Sequence, residues 1–219
     1  MTHIKICGIK EETHAIALTK AGVEFMGMVF ATSPRQVTSF YAKKIIELLR
    51  KNKNSTEVVG VFVNTEVGKI NRIAEQCGLD WVQLSGDEPW ELCRELNRPV
   101  IKVIRVSKNY KPEKIIADLS YGEKILAKQK HLYLIDSNSP DRFGGTGQPF
   151  NWKLARPIAE RFPVIIAGGL TPENVREAIH TIEPWGVDVS TGVETKGTKD
   201  LGKIRKFINA VRDVDGEKH

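Results

Sequence analysis

Two short segments in the last quarter of the chain combine the residue types that bind a phosphate group. Gly168 and Gly169 follow one apolar run, and Thr191 and Gly192 end another. Glycine lets the backbone approach a ligand closely, and Thr171 with the proline after it predicts a helix start at once. Backbone N–H groups at a helix N-terminus attract an anion. Two such segments side by side therefore predict an anion site.

A thiol and a carboxyl group stand at two other predicted strand ends. Cys7 ends the first apolar run, and Asp136 ends the sixth. Each has an ordinary alternative, a buried small side chain for Cys7 and a helix cap for Asp136. Beside an anion site, however, the two groups favour acid–base chemistry on a small phosphorylated molecule. No histidine stands at a predicted strand end, and no metal-ligand spacing is present, so we predict neither a hydrolytic triad nor a metal nor a cofactor.

The elements that position these groups alternate from one end of the chain to the other. Short β-type runs and amphipathic stretches follow each other without a linker, which predicts eight strand–helix units. This pattern is typical of a parallel eight-stranded (β/α)8 TIM barrel, and we predict one such domain over residues 1–219. A doubly wound open sheet would normally stop at about five or six strands.

The boundaries of these elements follow from apolar periodicity and from helix stop signals. The predicted strands are 4–8, 25–30, 57–63, 81–84, 100–106, 131–136, 164–167 and 187–190. The predicted helices are 11–21, 40–51, 66–77, 89–96, 112–128, 152–161, 172–182 and 200–211. The glycine-rich segment 143–150 lacks the GxGxxG spacing and does not open a helix, so it predicts no dinucleotide site.

Strand periodicity also predicts which side chains point into the barrel. Lys5 and Cys7 share one face of the first strand, and Asp188 and Ser190 share one face of the eighth. We therefore predict a buried Lys5–Asp188 ion pair beneath the thiol. Such a pair has an ordinary structural role. Its ammonium would also lower the pKa of the thiol.

Composition and charge exclude several other classes of protein. The chain has 219 residues, a net charge of +6 and a pI near 9.2, with the basic residues dispersed. No basic stripe is interleaved with aromatic residues, which argues against nucleic-acid binding. No apolar run could span a bilayer and no signal peptide is recognisable, so we predict a cytoplasmic protein without membrane contact. Three scattered cysteines predict no disulfide framework.

Taken in order, the motifs of this chain resemble the phosphoribosylanthranilate isomerase family nearly from end to end. No single motif is decisive, since the glycine segment that binds phosphate is shared by many phosphate-binding barrels, but eight motifs in this order are very specific. The segments that carry the resemblance are KICGIK at 5–10, SPR at 33–35, GVFVN at 60–64, VQLSG at 82–86, LIDS at 134–137, GGTGQPFNW at 144–152, AGGLTPENV at 167–175 and DVSTGVETKGTKD at 188–200.

The resemblance implies a ribulose-phosphate-binding type of barrel and an Amadori rearrangement in tryptophan biosynthesis. The expected reaction converts N-(5-phosphoribosyl)anthranilate to 1-(2-carboxyphenylamino)-1-deoxyribulose 5-phosphate. Asp136 is then the general acid for the ring oxygen, and Cys7 is the general base for the C2 proton. Arg35 is expected to bind the anthranilate carboxylate. The remaining expected substrate-binding residues are Gly168, Gly169, Asp188, Ser190, Thr191 and Gly192.

These roles require a protonated aspartate beside a deprotonated cysteine. Ordinary pKa values of about 3.9 and about 8.5 leave almost no enzyme in that state at neutral pH, so we predict that the pKa of Asp136 is raised and that of Cys7 lowered. Two segments depart from the family pattern. Ser85 stands where the family commonly has histidine, and VFATSPR replaces a more usual aromatic-proline version. These changes are compatible with an enzyme that has a lower rate or a broader substrate range.

Three rival functions have less support in the sequence than this isomerase has. A two-phosphate isomerase of histidine synthesis would need an aspartate in place of Cys7 and a second phosphate grip in the first half. Indole-glycerol-phosphate synthase would need catalytic lysine and glutamate residues at several strand ends. A phosphate-sensing or nucleic-acid-binding barrel would use the positive net charge. The sequence predicts a monomer or a homodimer without choosing between them.

Overall fold

The computed structural model describes residues 1–51, 55–106, 110–136 and 152–217. Eight strands form a closed barrel in the order of the chain, with parallel pairing, as the alternation of elements predicts. They are β1 (His3–Cys7), β2 (Phe25–Val29), β3 (Glu57–Phe62), β4 (Trp81–Leu84), β5 (Val100–Arg105), β6 (His131–Asp136), β7 (Val164–Ala167) and β8 (Gly186–Val189).

The helices follow the strands in strict alternation. They are α1 (Glu12–Lys20), α2 (Ser39–Lys51), α3 (Val67–Cys77), α4 (Trp90–Cys93), α5 (Pro112–Leu126), α6 (Arg156–Ala159), α7 (Val175–Ile182) and α8 (Leu201–Gly216). A small antiparallel hairpin, β9 (Glu194–Thr195) and β10 (Thr198–Lys199), lies between β8 and α8. The predicted segment 152–161 is divided into a 3-10 turn at Trp152–Leu154 and α6.

Backbone contacts divide the chain into two compact units. The N-terminal unit comprises Lys5–Val103 and Gly122–Leu132, and the C-terminal unit comprises Met1–Ile4, Ile104–Tyr121 and Tyr133–His219. That the chain folds as a single domain stays a prediction.

In the N-terminal unit, strand register brings the inner faces of four strands together. Cys7 pairs with Gly27, Gly27 with Val59, and Val59 with Trp81, so these side chains share one face. Trp81 is buried, donates a hydrogen bond from Nε1 to a Glu57 carboxylate oxygen at 3.0 Å, and packs edge-on against an aromatic ring of β2. The large indole therefore fills this face while its polar atom is satisfied.

In the C-terminal unit, the two ends of the chain are joined by side-chain hydrogen bonds. The backbone N–H of Thr2 donates to Asp215 Oδ1 at 2.8 Å, and Arg212 donates to the Thr2 carbonyl at 2.8 Å. The imidazole of His3 stacks on the indole of Trp185 with ring centroids 3.8 Å apart. These contacts fix the start of β1 beside β8 and α8.

Apart from α6, three helices, α4, α7 and α8, differ from the predicted boundaries by three residues or more, and α8 ends at Gly216 rather than at residue 211. Regular helix α7 begins at Val175 rather than at residue 172, because residues 172–174 form a turn that is capped by Thr171. Helix α4 ends at Cys93 rather than at residue 96. The N–H groups of Arg94, Glu95 and Leu96 donate to carbonyls three residues earlier, so the chain tightens into a turn before β5.

Helix α8 begins with an aspartate cap that makes stability depend on pH. Asp200 Oδ1 accepts the N–H groups of Gly202 and Lys203 at 2.8 and 3.1 Å, and the Thr195 hydroxyl donates to Oδ2 at 2.7 Å. The Thr195 hydroxyl first, and then the backbone donors, lower the pKa of Asp200. A lowered pKa means that the cap stabilises the folded state above the unfolded pKa of about 3.9, and that this stabilisation is lost as the pH falls through the folded pKa.

We predict that Asp200→Asn reduces this acid sensitivity. Asparagine is a good neutral N-cap, so the Tm of the variant at neutral pH should fall only slightly. The Tm difference between parent and variant should then shrink as the pH falls below about 4, because only the parent loses a charged cap. Thermal unfolding by circular dichroism across pH measures it. Asp213→Asn, on the same helix and away from its N-terminal cap, is the matched control. A constant Tm difference at every pH would contradict the prediction.

Candidate active site

The segment that follows β7 adopts a backbone conformation that glycine permits. Gly168 and Gly169 have φ values of 94° and 68°, in the region that other residues rarely occupy. The Asn174 side chain closes the loop, since its Nδ2 donates to the Gly169 carbonyl at 2.9 Å and its Oδ1 accepts the Thr171 N–H at 2.8 Å. The loop is therefore fixed in shape before α7 begins.

The ends of β7 and β8 meet at Gly192. A Cβ atom built on Gly192 would lie 1.9 Å from the Leu170 carbonyl oxygen, a distance at which no side chain fits. Glycine at this position therefore permits the close contact between the two segments. The sequence predicted that these strand ends lie side by side, and the structure brings them together.

Asp136 is the last residue of β6, and it lies beside the end of β7, immediately before Gly168. It pairs with Ala167, and its carbonyl oxygen accepts the Val106 N–H at 3.0 Å. Because Leu134 pairs with Ile165 and Ile165 with Gly186, alternation along β8 puts Asp188 on the same face as Asp136. Asp136 is half-buried and Asp188 is buried. The C-terminal unit thus collects two carboxyl groups and both glycine segments.

Cys7 is the last residue of β1, in the N-terminal unit, and its thiol is buried. A Cβ atom built on Gly27 of β2 would lie 2.8 Å from the Cys7 Sγ. Glycine at this position therefore leaves room for the thiol. The N–H groups of Gly8 and Ile9 both donate to the Gly27 carbonyl at 2.9 Å. Lys5 is buried as predicted, and its ion pair with Asp188 stays a prediction.

Arg35 lies in a segment that folds back onto the end of β2. Its backbone N–H donates to Ser33 Oγ at 3.1 Å, and the Val37 N–H donates to the Val29 carbonyl at 2.9 Å. Lys10 donates to the carbonyl of the intervening proline at 3.3 Å. This half-buried arginine is therefore carried by an anchored loop that follows a strand end.

A buried ion pair that the sequence analysis missed holds the ends of β3 and β4. Glu88 accepts the N–H groups of Asn64 and Gly86 at 2.7 and 2.9 Å and pairs with Lys102 Nζ at 3.5 Å. Both side chains are buried, Glu88 at 2% and Lys102 at 6% exposure. A glutamate in a polar segment such as GDEPWEL is ordinarily a surface residue, so the sequence around Glu88 does not predict its burial. The one sequence signal for this ion pair is Lys102, a lysine inside the apolar run of β5.

Gln83 is a second polar residue that sequence reasoning left without a role. It lies on the same face of β4 as Trp81, and hence on the face that carries Cys7. Its Nε2 donates to Ser85 Oγ at 3.0 Å, so the Ser85 hydroxyl holds this amide. Within residues 1–51, 55–106, 110–136 and 152–217, the buried Oε1 has no hydrogen-bond partner. An acceptor is thus available on the inner face.

The two other cysteines occupy environments that suppress thiolate formation. Burial raises the pKa of the Cys77 thiol, and burial raises that of Cys93 to about 11. Both lie on helices, as predicted. Among the three cysteines, Cys7 alone stands at a strand end.

Neither a metal cluster nor a membrane-spanning helix occurs in the part of the chain that the structure describes. There, no group of three or more His, Cys, Asp or Glu side chains could hold a metal ion. No helix in those ranges is long and apolar enough to cross a membrane. The glycine-rich segment 143–150, considered above as a nucleotide loop, lies outside the described residues.

The closed order of parallel strands and the glycine segments after β7 and β8 define the class of protein. This is a (β/α)8 barrel, and barrels of this kind bind phosphate after strands seven and eight and carry catalytic residues at the carboxyl ends of their strands. The predicted fold class is confirmed.

Comparison with known proteins identifies the family. Residues 4–210 match the family model of N-(5'-phosphoribosyl)anthranilate (PRA) isomerase. An N-(5'-phosphoribosyl)anthranilate isomerase from Dehalococcoides mccartyi is 44% identical over 218 residues, covering 100% of this chain and 99% of that protein. The chain therefore belongs to the phosphoribosylanthranilate isomerase family, and it is an enzyme of the isomerase class.

Solved structures agree with this assignment. The phosphoribosyl anthranilate isomerase of Thermotoga maritima has a TM-score of 0.85 at 37% identity, over 97% of this chain and 100% of that one. A phosphoribosyl anthranilate isomerase in complex with reduced 1-(o-carboxyphenylamino)-1-deoxyribulose 5-phosphate has a TM-score of 0.81 at 35% identity, with the same coverage. The end-to-end resemblance of the motifs is thereby confirmed.

Proposed function

We propose that the chain converts N-(5-phosphoribosyl)anthranilate to 1-(2-carboxyphenylamino)-1-deoxyribulose 5-phosphate, as a step of tryptophan biosynthesis. The proposal is supported by the family match over residues 4–210 and by the relative whose complex contains a reduced form of this product. One observation connects the proposed reaction with particular residues. Each residue to which the family resemblance gives a role lies at the carboxyl end of a strand or in the segment that follows.

In the proposed mechanism, Asp136 and Cys7 move two different protons. The Asp136 carboxyl group gives its proton to the furanose ring oxygen, the C1–O bond breaks, and the nitrogen lone pair forms a protonated Schiff base at C1. The Cys7 thiolate then removes the C2 proton, and the electrons of that C–H bond form the C1–C2 double bond as the iminium nitrogen is neutralised. Transfer of a proton from the C2 hydroxyl to C1 gives the ketose. Proton exchange with solvent then reprotonates Asp136 and deprotonates Cys7, so the reaction is a net isomerisation.

The other residues bind and orient the substrate. We propose that Arg35 pairs with the anthranilate carboxylate, since a guanidinium forms bidentate hydrogen bonds with that group. We propose that the phosphate is bound by the segments that meet at Gly192, where glycine leaves the backbone open to close approach by a ligand. The proposed phosphate-binding residues are Gly168, Gly169, Ser190, Thr191 and Gly192, with Asp188 on the adjoining inner face.

Loss of substrate fluorescence tests this function directly. Addition of the purified protein to N-(5-phosphoribosyl)anthranilate should remove the anthranilate fluorescence of the substrate in proportion to enzyme concentration. The matched control is the same protein carrying both Cys7→Ala and Asp136→Asn. An unchanged signal with the folded parent protein would overturn the proposal. Salt-dependent binding of nucleic acid would instead favour the non-catalytic barrel.

A substitution at Gly169 tests the phosphate site. The chain offers a matched control, since Gly22 and Gly169 share a φ of 68° and a Cβ atom added to either would meet no other atom within 4 Å. Valine should therefore strain both backbones alike, but only Gly169→Val places a side chain beside the proposed phosphate. We expect the KM of Gly169→Val to rise about tenfold to a hundredfold, as for loss of a hydrogen bond to a charged group.

Inorganic phosphate completes this test as a competitive inhibitor. It should compete with substrate in the parent and in Gly22→Val, and compete more weakly in Gly169→Val. Thermal unfolding should give similar Tm losses for the two variants. If Gly169→Val binds phosphate as well as Gly22→Val does, the phosphate site is elsewhere. The cytoplasmic location and the choice between monomer and homodimer stay predictions.

A further inference from the structure

We propose that Lys199 is a positioning residue for the phosphate site, acting through the backbone at the end of β8. This inference rests on the proposed function, because it concerns how the same phosphate would be bound. Lys199 closes the β9–β10 hairpin, and its side chain is only 3% exposed. A lysine in TKGTKD is expected to be a surface residue of a turn, so its burial calls for a partner that the local sequence does not reveal.

The ammonium group of Lys199 has three acceptors for its three protons. It donates to the Ser190 carbonyl oxygen at 2.8 Å, to Ser190 Oγ at 3.3 Å and to Glu194 Oε1 at 2.7 Å. The Glu194 side chain is itself only 7% exposed. The buried cation is therefore paired and fully hydrogen-bonded, which is the condition under which a buried charge is tolerated.

The bond from Lys199 to the Ser190 carbonyl orients the next peptide group. In a planar trans peptide the carbonyl and the following N–H point in opposite directions. With the Ser190 carbonyl directed to Lys199, the N–H of Thr191 points away from the ammonium group. Thr191 begins the 3-10 turn Thr191–Val193, whose glycine touches the Leu170 carbonyl. The Val193 N–H donates to the same carbonyl at the longer distance of 3.4 Å, so Lys199 makes the shorter of the two bonds that orient this backbone donor in the proposed phosphate site.

The hairpin that carries Lys199 is in turn anchored to α8. The Asp200 N–H donates to the Val193 carbonyl at 2.9 Å, and Lys203 Nζ donates to the Glu194 carbonyl at 2.7 Å. Lys199 consequently acts from a fixed support rather than from a free loop. Its charge also offsets the Glu194 carboxylate, which would otherwise be a buried anion near the bound phosphate.

The experiment compares Lys199→Met with the parent, with inorganic phosphate as the probe. We expect the inhibition constant of phosphate and the KM of the substrate to rise together by about tenfold or more, while kcat changes by less than about twofold. A merely structural role would lower the Tm without this parallel rise. Lys199→Arg, which keeps a cationic donor, should recover much of the phosphate affinity.

A double variant separates the effect of the Lys199 hydrogen bond to the Ser190 carbonyl from the effect of the Lys199 charge. Lys199→Met with Glu194→Gln removes both charges, so it also serves if Lys199→Met alone does not fold. We expect this variant to bind phosphate as weakly as Lys199→Met does, because the Ser190 carbonyl still lacks its short bond from residue 199. Parent-like phosphate affinity in the double variant, or in folded Lys199→Met, would overturn the inference while leaving the proposed function intact. Failure of phosphate to compete in the parent would instead remove the phosphate site and the inference with it.

Discussion

Cys7→Ala should lower kcat by about a hundredfold to ten-thousandfold, the usual loss when a general base is removed. This corresponds to about 3–5 kcal/mol of activation free energy. KM should change by less than about twofold, because alanine removes one sulfur atom from a position that is already buried and the proposed phosphate and carboxylate contacts remain. Steady-state kinetics by anthranilate fluorescence measures both constants.

Two further variants separate the thiol's chemistry from its packing. Cys93→Ala also deletes a buried thiol, one at 0% exposure on α4, and it should leave kcat unchanged. Gly27→Ala keeps the thiol but adds a methyl group that would lie 2.8 Å from Sγ, so kcat should fall as the sulfur is displaced. A parent-like kcat in Cys7→Ala would eliminate this residue from the mechanism, whatever the result for Gly27→Ala.

The strands were predictable because their signals are local. Each is a short apolar run that ends near a glycine or a polar residue, and the observed boundaries lie within one or two residues of those expected. Helix boundaries were less predictable. The start of α7 follows a turn that two side-chain bonds hold, one from Asn174 to the Gly169 carbonyl and one from the Glu173 N–H to the Thr171 hydroxyl. Such a bond follows from the three-dimensional shape of the loop rather than from residue type.

The residues of the candidate site likewise divide into those that the sequence could predict and those that it could not. Cys7, Asp136 and the glycines were predictable because a barrel places function at the carboxyl ends of strands, and the sequence shows where strands end. Lys199 and Glu88 were not, since each depends on partners that the fold brings together. The sequence distance from Glu88 to Lys102 gives no sign of a pair. A charged residue in a turn gives no sign of burial either.

Asp136→Asn should lower kcat by a similar factor of about a hundred to ten thousand, because asparagine cannot donate a proton to the ring oxygen. Asparagine nearly matches the shape of aspartate, and the backbone bond from the Val106 N–H to residue 136 does not depend on the side chain. Stability and KM should therefore change little. Asp213→Asn, an exposed carboxyl group on α8 at 62% exposure, is the matched control and should keep the parental kcat.

The dependence of kcat on pH then distinguishes a proton donor from a structural cap. The mechanism needs a protonated Asp136 and a deprotonated Cys7, so the parental profile should be bell-shaped. In Asp136→Asn the remaining requirement is the thiolate, and the residual rate should rise with pH and then level off. In Cys7→Ser the acid limb should be lost instead. The profiles must be measured with chemistry rate-limiting, since slow product release flattens a bell. An alkaline limb that persists unchanged in Asp136→Asn would mean that another residue donates the proton, and Asp136 would then have a structural role only.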